Sequence, residues 1–210
     1  MSEGIGMTVD VIEEAGFLPA LMGLGLSHGL TSDERAGRAW FEVDLERRLQ
    51  NRAKNLAPMD GGHNKFLESI QVWLDIKAPR YWWQEFDTYR VGVSKQSEST
   101  MHTLTRRKLT QEDFVSPIPS LRLAELNKVI GRYSSAKEID LLPDMHFREL
   151  KLLLPEGFLQ RRIVNLNYKV LRNIYTQRRT HRLIEWRLFL GKVLEQIESP
   201  DFITKERESK

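Results

Sequence analysis

"KLLLPEGFLQRRIVNLNYKVLRNIYTQRRTHRLIEWRLF", from Lys151 to Phe189, is the stretch of the sequence that decides the fold. Apolar residues recur at roughly helical spacing from Ile163 to Ile197, which predicts helix through most of the last third of the chain. A length of about 35 residues is long for one helix, so we expect a break near Thr180. The helix predicted just before it, "DMHFRELKLLLP", should end at Pro155, because proline cannot continue a helix.

Cations are dense in the same stretch. Their positions are Arg161, Arg162, Lys169, Arg172, Arg178, Arg179, Arg182 and Arg187. Arg178 and Arg182 stand four apart, so on one helix they would point from one face and could grip a phosphate or carboxylate together. Asn167 would lie three turns before Arg178 on that face. Two interpretations are open: a solvated helix face, which is usual for charge clusters, or a partly buried anion site, which the neighbouring Trp186 favours.

A half-buried strand is predicted upstream, in "SIQVWLDIKAP". The apolar residues Ile70, Val72, Leu74 and Ile76 alternate with more polar ones, which is the period of a strand, and Pro79 should close it. The loop "LAPMDGGH" before the strand ends in His63. That histidine could face a cleft or lie on the open surface, and the sequence favours neither.

The remaining segments are assigned by pattern. "GFLPALMGLGLSHG" and "DERAGRAWFEVDLERRL" are predicted helices, the second capped by Ser32 or Asp33. "IPSLRLAELNKVIGRY" is predicted to be a helix with a serine cap, and "RRKLTQEDFVSPIPS" a loop or short elements that reach out from the core. "SPDFITKERESK" is typical of a frayed polar tail, from about residue 199.

Length and composition bound the class of protein. The 210 residues favour one domain over 1–210, and no apolar run approaches the roughly 20 residues that span a bilayer. The chain has no cysteine and shows no secretory signal, so we expect a soluble, cytoplasmic protein without a membrane partner. Its net charge of +3 makes nucleic acid an unlikely partner. None of the five histidines has the spacing of a helical metal site, so no metal is expected.

The block from Lys151 to Phe189 resembles the C-terminal half of the flavin-dependent thymidylate synthases, with no gap needed. In that family a basic residue stands four before the proline of a leucine-proline pair, as Lys151 does here. An asparagine and an arginine follow at the spacing of Asn167 and Arg178. A tryptophan-glutamate pair continues the helix, and the pair is reversed here as Glu185 and Trp186.

A second match is "IKAPRYWWQEFDTYR", which is similar to the strand, proline and aromatic segment that lead into the family's signature. The signature triplet is arginine, histidine, arginine, and counting from Pro79 places it on Thr88, Tyr89 and Arg90. Only Arg90 is kept. The glutamate, serine and arginine that follow in the family fall on Gln96, Glu98 and Thr100, or, with one inserted residue, on Ser97, Ser99 and Met101. A rival register that fixes Ser94 on the signature serine keeps nothing of the triplet.

The resemblance implies an α+β fold, with a central twisted, mainly antiparallel sheet flanked by long helices in a single domain. It also implies a homotetramer with active sites at subunit interfaces. The family's members bind FAD and deoxyuridine monophosphate (dUMP), take a methylene group from methylenetetrahydrofolate, and reduce it with hydride from NADPH to form thymidylate.

Carried over residue by residue, the resemblance implies these roles. Arg178 is the expected catalytic residue, orienting the pyrimidine or its phosphate. The expected substrate contacts are Arg90, Ser97, Ser99, Lys151 and Arg178, and the expected cofactor contacts are His63, Arg90, Asn167 and Arg182. The aromatic planes of Tyr81, Trp82, Trp83 or Tyr89 could stack on a flavin or base, and the hydroxyls after Arg90 would form a phosphate-binding turn.

The departures from the family leave three explanations. Thr88 and Tyr89 replace cationic positions, Arg182 stands where many relatives have histidine, and Lys151 lacks the fork of an arginine. The chain is a divergent thymidylate synthase, a relative that modifies another pyrimidine nucleotide at C5, or an inactive or repurposed protein that binds nucleotide or nucleic acid. A compact, altered version of this kind suits a phage or mobile-element genome.

Overall fold

The computed structural model describes residues 6–27, 29, 43–59 and 62–207. Four strands form an antiparallel sheet in the order β1-β2-β4-β3. The strands are β1 (Thr8–Ala15), β2 (Gln71–Pro79), β3 (Val93–Ser97) and β4 (Leu159–Asn167). The helices are α1 (Phe17–Leu26), α2 (Val43–Leu56), α3 (Arg80–Phe86), α4 (Thr100–Thr103), α5 (Ser120–Glu138), α6 (Pro143–Leu153), α7 (Tyr168–Arg178), α8 (Ile184–Gln196) and α9 (Asp201–Thr204). This mixture of helices with an antiparallel sheet confirms the predicted α+β class.

The alternating pattern correctly predicted strand β2. Val72, Leu74, Ile76 and Ala78 are fully buried, and the residues between them are half-buried. Successive side chains of a strand point to opposite faces, so this alternation places one apolar face in the core. The strand ends at Pro79, as predicted.

The helix predicted from Ile163 was wrong over its first part, because residues 159–167 form strand β4. Val164 and Leu166 are buried while their neighbours are half-buried, so the buried set repeats every second residue. The β-branched Ile163 and Val164 also favour extended backbone. The predicted break near Thr180 is confirmed, since α7 ends at Arg178 and α8 begins at Ile184.

The described residues divide into two compact units, and each is described by itself. The first takes in residues 6–8, 76–89 and 96–163. Its core lies on α5 and α6, where Leu126, Val129 and Ile130 pack with Leu150 and the segment 104–118. One domain over residues 1–210 stays a prediction.

Segment 104–118 is fixed to α5 by Asn127. The Asn127 side chain accepts from the Leu109 backbone N–H at 2.7 Å and donates to the Leu109 carbonyl at 3.0 Å. Short elements were correctly expected here, but Leu109 and Phe114 are buried, so the segment does not reach out from the core. The predicted serine cap was also wrong: α5 begins at Ser120, its capping position is Pro119, and no side chain caps it.

The second unit takes in residues 9–75, 90–95 and 164–207 of the described chain. Phe202 of α9 stacks on Phe17 with ring centroids 5.7 Å apart and meets Phe66 edge-on at 5.6 Å. Tyr168, the first residue of α7, donates from its hydroxyl to Glu14 at 2.6 Å and accepts from the Ser199 backbone N–H at 3.2 Å. The prediction of a frayed tail from about residue 199 was therefore wrong for the first residues of that segment, because Phe202 belongs to the core.

Helix α2 matches part of the predicted helix of residues 33–49 and runs on to Leu56. The predicted caps, Ser32 and Asp33, lie outside the described residues, as does Gly61 of the loop before His63. Within the described ranges, no helix has both the length and the apolar content to cross a bilayer.

Candidate functional site

Asn167 joins strand β4 to helix α7 in the second unit. Its side-chain oxygen accepts from the Val170 backbone N–H at 3.0 Å and so caps the helix. Asparagine is a preferred capping residue because its short side chain satisfies a backbone donor that the helix leaves unpaired. No described residue accepts from the Asn167 amide nitrogen, Nδ2. This predicted cofactor contact therefore has a donor to offer a ligand.

The turn after Arg90 lies against this capped helix end. Gly92 has a φ of +69°, and a Cβ added to it would stand 3.1 Å from Val170 Cγ2 and 3.2 Å from Asn167 Nδ2. Glycine is therefore required here both by the backbone conformation and by the close approach. Arg90 is exposed and has no acidic partner among the described residues. Nothing in the sequence reasoning singled out Gly92, although a glycine two residues after the triplet was a usable signal.

A cleft of about 610 Å³ opens at this end of α7, and we call it the α7 cleft. It is lined by Asn64, Glu68, Val91, Gly92, Asn167, Lys169, Val170, Arg172, Asn173 and Thr176. Its two cations are already engaged: Lys169 pairs with Glu68 at 2.6 Å, and Arg172 donates to the carbonyls of residues 202, 203 and 205. What remains for a ligand is mainly amide and hydroxyl groups rather than free charge.

His63 lies beside this cleft. The histidine is exposed and lines a separate cavity with residues of α1, which shares Glu68 with the α7 cleft. The next residue, Asn64, is buried, donates to the Ala57 carbonyl at 3.2 Å, and lines the α7 cleft itself. His63 therefore lies on the exposed surface at the edge of a cavity, and its role as a cofactor contact stays a prediction.

Arg178 stands at the opposite end of α7 from Asn167. Eleven residues at about 1.5 Å each separate the two by roughly 16 Å along the axis. The Arg178 guanidinium lies over the indole of Trp186, with 4.9 Å from Cζ to the ring centroid. Trp186 is fully buried, and the ring of His181 meets it edge-on at 6.3 Å. The arginine is thus held on an aromatic platform that the sequence reasoning did not identify as such.

Arg182 does not share a helix face with Arg178 or Asn167, and that expectation was wrong. Helix α7 ends at Arg178, and residues 179–183 form the connection to α8. The rule that residues four apart face the same way holds only while the helix continues. Arg182 is exposed, without an ion-pair partner among the described residues.

Lys151 lies at the end of α6 in the first unit, and its Nζ donates to Thr100 Oγ1 at 2.5 Å. No described carboxylate pairs with it. Burial lowers the pKa of the Lys151 ammonium below its usual 10.5, and the positive charge of Arg80 lowers it further. An ammonium that is partly buried, unpaired and beside a second cation is suited to an anion.

Ser99 precedes Thr100, and its carbonyl accepts from the Thr103 hydroxyl at 2.9 Å. Ser97 is the exposed last residue of β3. Ser99 is therefore next to Thr100, the hydrogen-bond partner of Lys151. Thr100 is also the residue that the register without insertion places on the family's arginine position. The predicted phosphate-binding turn was wrong over residues 93–97, because they form a strand.

The aromatic segment 81–89 is mainly core. Trp82 and Trp83 are buried on α3, with ring centroids 5.0 Å apart, and Trp83 Nε1 donates to the Gln160 carbonyl at 2.9 Å. Arg162 covers the ring of Trp83, with its Cζ 4.3 Å from the ring centroid. The expectation that Trp82 or Trp83 stacks on a flavin or base was wrong, because protein groups already pack against their rings.

The altered triplet follows α3. Thr88 Oγ1 donates to the Glu85 carbonyl at 2.7 Å, and Tyr89 is buried with its ring centroid 6.1 Å from that of Phe86. Two of the three signature positions therefore serve the local fold, Thr88 through this hydrogen bond and Tyr89 by burial, while Thr88 and Arg90 are both exposed. Across the described ranges, no group of three or more His, Cys, Asp or Glu side chains could hold a metal ion.

No family model matches the chain, and no curated protein matches its sequence. Solved structures do match. A flavin-dependent thymidylate synthase ThyX from Helicobacter pylori, complexed with FAD and dUMP, has a TM-score of 0.68 at 16% identity, over 93% of this chain and 97% of that one. A second structure of Helicobacter pylori ThyX with FAD and dUMP has a TM-score of 0.63 at 17% identity, over 95% of this chain and 100% of that one. The resemblance stated from the sequence is thus confirmed at the level of architecture, and the protein has the fold of the flavin-dependent thymidylate synthases.

Proposed function

We propose that the protein is a flavin-dependent enzyme that modifies dUMP at C5, methylating it as a thymidylate synthase does. The proposed co-substrates are methylenetetrahydrofolate and NADPH, the cofactor is FAD, and the protein works in the cytoplasm as a homotetramer. The ThyX fold supports this proposal, and so does the placement of residues within each unit.

The observation that carries the proposal is the α7 cleft. Asn167 was expected to contact flavin, and it lines this cleft together with the turn that directly follows Arg90. His63 precedes Asn64, which lines the same cleft. Three of the four expected cofactor contacts, which are far apart in the sequence, therefore lie in or next to one cleft.

The groups in the α7 cleft fit a flavin. Asn167 Nδ2 has no described acceptor, and amides and a hydroxyl from Asn173 and Thr176 line the wall. Such groups can hydrogen-bond the polar edge of a ring system, while the apolar Val91 and Val170 contact its face. Asn167 and the 91–92 turn would hold the cofactor, with Arg90 free to pair with a phosphate. When bound, FAD supplies the hydride-transfer chemistry, which no side chain of this protein provides.

The substrate contacts are proposed separately. In the first unit Lys151, Thr100 and Ser99 would bind the nucleotide phosphate, since they combine an unpaired ammonium with hydroxyls. In the second unit Arg178, fixed on Trp186, would orient the pyrimidine and stabilise negative charge on it. Binding by Arg178 places the ring in one orientation, which is how positioning contributes to rate.

Flavin uptake and dUMP binding test the proposal. We expect the purified protein, incubated with FAD and desalted, to keep a flavin absorption spectrum, and calorimetry to detect dUMP. The Asn167→Ala variant should lose flavin, whereas Asn55→Ala, which changes an exposed asparagine of α2, should keep it. A protein that stays colourless and shows no heat of binding with dUMP contradicts the proposal.

The altered triplet favours a second candidate, a protein of the same fold that binds nucleotide without catalysis. The Thr88 hydroxyl donates to the Glu85 carbonyl and Tyr89 is buried, so neither position offers the cation expected there. This candidate predicts dUMP binding without flavin uptake, and the spectrum described above separates the two.

A further inference from the structure

A cavity of about 610 Å³ in the first unit lies outside the proposed chemistry, and we call it the α5 pocket. One wall comes from α4 and the residues just after it, and the other comes from the end of α5. The lining residues are Met101, His102, Thr105, Arg106, Tyr133, Ser134, Lys137 and Glu138. None of the proposed substrate or cofactor contacts is among them. The volume lies within the range of small-molecule sites, about 300–1,000 Å³, so the α5 pocket is large enough for a small ligand.

The charged groups of the α5 pocket favour an anion. Arg106 and Lys137 come from opposite walls, and neither has an acidic partner among the residues that the structure describes. His102 adds a third positive charge when it is protonated. Among the described lining residues Glu138 is the only acid, so positive charge is in excess. A guanidinium and an ammonium that line one cavity from two sides suit a phosphate group.

The rest of the lining suits an organic group rather than a bare ion. Met101 is 58% exposed, and Tyr133 is half-buried with its ring centroid 5.7 Å from that of Phe147. A thioether and a ring backed by a second ring offer contact area to a flat ligand. Glu138 and the Tyr133 hydroxyl can accept hydrogen bonds from sugar hydroxyls or from amino groups of a base. Cations for a phosphate, together with these groups for a base and a sugar, fit a nucleoside monophosphate.

Helix α4 connects the α5 pocket with the proposed substrate contact Lys151. Its first residue, Thr100, accepts from the Lys151 ammonium at 2.5 Å, while the next two residues line the pocket. The helix is a single turn, none of its residues is buried, and no side chain caps it. A short helix depends on such contacts for its stability, so α4 is weakly held by the described chain. A ligand that contacts Met101 and His102 would stabilise α4 and with it the position of the Thr100 hydroxyl.

We propose that the α5 pocket is a regulatory site for a nucleoside monophosphate, separate from the substrate contacts. Arg106 and Lys137 bind the phosphate, and Tyr133 contacts the base. The bound ligand orders α4, so that Thr100 is already in place beside Lys151 when dUMP arrives, and less entropy is then lost on dUMP binding. This regulatory effect rests on the proposed function, because that proposal makes Lys151 a substrate contact. Ligand binding to the pocket itself does not rest on it.

Calorimetry on the full-length protein without divalent metal, with adenosine monophosphate (AMP) and inorganic phosphate as probes, tests the ligand site. We expect AMP to bind about tenfold more tightly than inorganic phosphate, because inorganic phosphate has no ring to contact the pocket. Lys137→Gln and Arg106→Gln should each weaken AMP binding about tenfold. Lys128→Gln removes an exposed lysine of the same helix that does not line the pocket, and it should leave AMP binding unchanged. Arg178→Ala and Asn167→Ala should also leave it unchanged, because AMP does not occupy the proposed substrate or cofactor contacts.

A dUMP titration at saturating AMP measures the regulatory effect. We expect dUMP to bind about threefold more tightly with AMP than without it, and AMP to bind more tightly by the same factor when dUMP is saturating. Lys137→Gln should remove this difference and leave the dUMP affinity in the absence of AMP unchanged.

The outcomes separate this inference from the proposed function. If dUMP does not bind but AMP binds and depends on Lys137 and Arg106, the ligand site is supported, and the proposed function fails together with the regulatory effect that rests on it. Absence of AMP binding, or wild-type AMP affinity in both Lys137→Gln and Arg106→Gln, overturns the ligand site. Inorganic phosphate that binds as tightly as AMP overturns it as well, because the pocket then recognises phosphate alone. A dUMP affinity that does not respond to bound AMP overturns the regulatory role.

Discussion

The guanidinium of Arg178 rests on the indole face of Trp186, 4.9 Å from Cζ to the ring centroid. A cation over a buried tryptophan is held by the ring's quadrupole, which contributes about 0.5–2 kcal/mol. The contact restricts the arginine side chain before any ligand arrives, so less entropy is lost on binding. Trp186 is therefore a positioning residue for the proposed substrate contact.

Replacing Trp186 tests this positioning role. We expect Trp186→Leu to weaken dUMP binding by about tenfold, the equivalent of roughly 1.4 kcal/mol, because Arg178 loses its platform. Trp186→Phe keeps an aromatic face and should recover most of the affinity, as measured by calorimetry. Phe189→Leu alters a buried ring on the same helix and serves as the control for lost packing. Equal losses of affinity in Trp186→Leu and Phe189→Leu would show that the effect is only structural.

The lowered pKa of Lys151 predicts a pH dependence of stability. Burial, followed by the charge of Arg80, disfavours the charged ammonium in the folded state. Between the lowered pKa and the usual 10.5, the unfolded chain binds more protons, so the free energy of unfolding rises with pH. Urea unfolding at pH 7.5 and pH 10 should show wild type gaining stability relative to Lys151→Gln as the pH rises. Lys128→Gln, an exposed lysine of α5, should run parallel to wild type, and a parallel course for Lys151→Gln would contradict the prediction.

The roles expected of single residues stay predictions. Asn167, expected as a cofactor contact, lines a cleft, and Lys151, expected as a substrate contact, has no described carboxylate partner. Arg182 was misplaced, because the end of a helix depends on tertiary packing rather than on spacing. Trp82 and Trp83 were misassigned because a ring that stacks on a ligand and a ring that packs in a core have the same sequence signal.

At the scale of elements, the turn 91–92 depends on the capped end of α7. We expect Gly92→Ala to lower the free energy of unfolding by about 1–3 kcal/mol, since φ is positive and the new Cβ would meet Val170 and Asn167. It should also weaken flavin binding, because Asn167 must move. Thermal unfolding and flavin titration measure the two effects.

Gly191 in α8 provides the matched control. A Cβ added there meets no atom within 4 Å, so Gly191→Ala should stabilise the protein by about 0.5–1 kcal/mol through higher helix propensity. Its flavin affinity should stay as in wild type. Gly92→Ala with wild-type stability and flavin affinity would show that the turn is not constrained by the helix.

Strand β2 and strand β4 show what limited the prediction of elements. The apolar alternation of β2 is regular and bounded by a proline, and one period describes it. Strand β4 runs directly into α7 without glycine or proline, so its apolar residues merge with those of the helix. The capping role of Asn167 marks the boundary, but an asparagine within an apolar pattern is not specific enough to reveal it.

At the scale of the whole molecule, the fold is shared with solved structures that are only 16–17% identical in sequence. The sequence resemblance rested on the spacing of a few functional positions, and the structural comparison confirms the fold that it implied. The first unit contains Lys151, Ser97 and Ser99, and the second contains Asn167, Arg90, His63, Arg178 and Arg182. The homotetramer stays a prediction. Surfaces that pair between subunits have no periodic signal in one sequence, so the spacing of residues could not identify them.

Release of tritium from dUMP labelled at C5 tests the central claim most directly, because any substitution at C5 expels that hydrogen. We expect release that requires FAD, NADPH and methylenetetrahydrofolate together, and that Arg178→Ala abolishes while its thermal unfolding stays close to wild type. A protein that binds both FAD and dUMP and yet releases no tritium would contradict the claim.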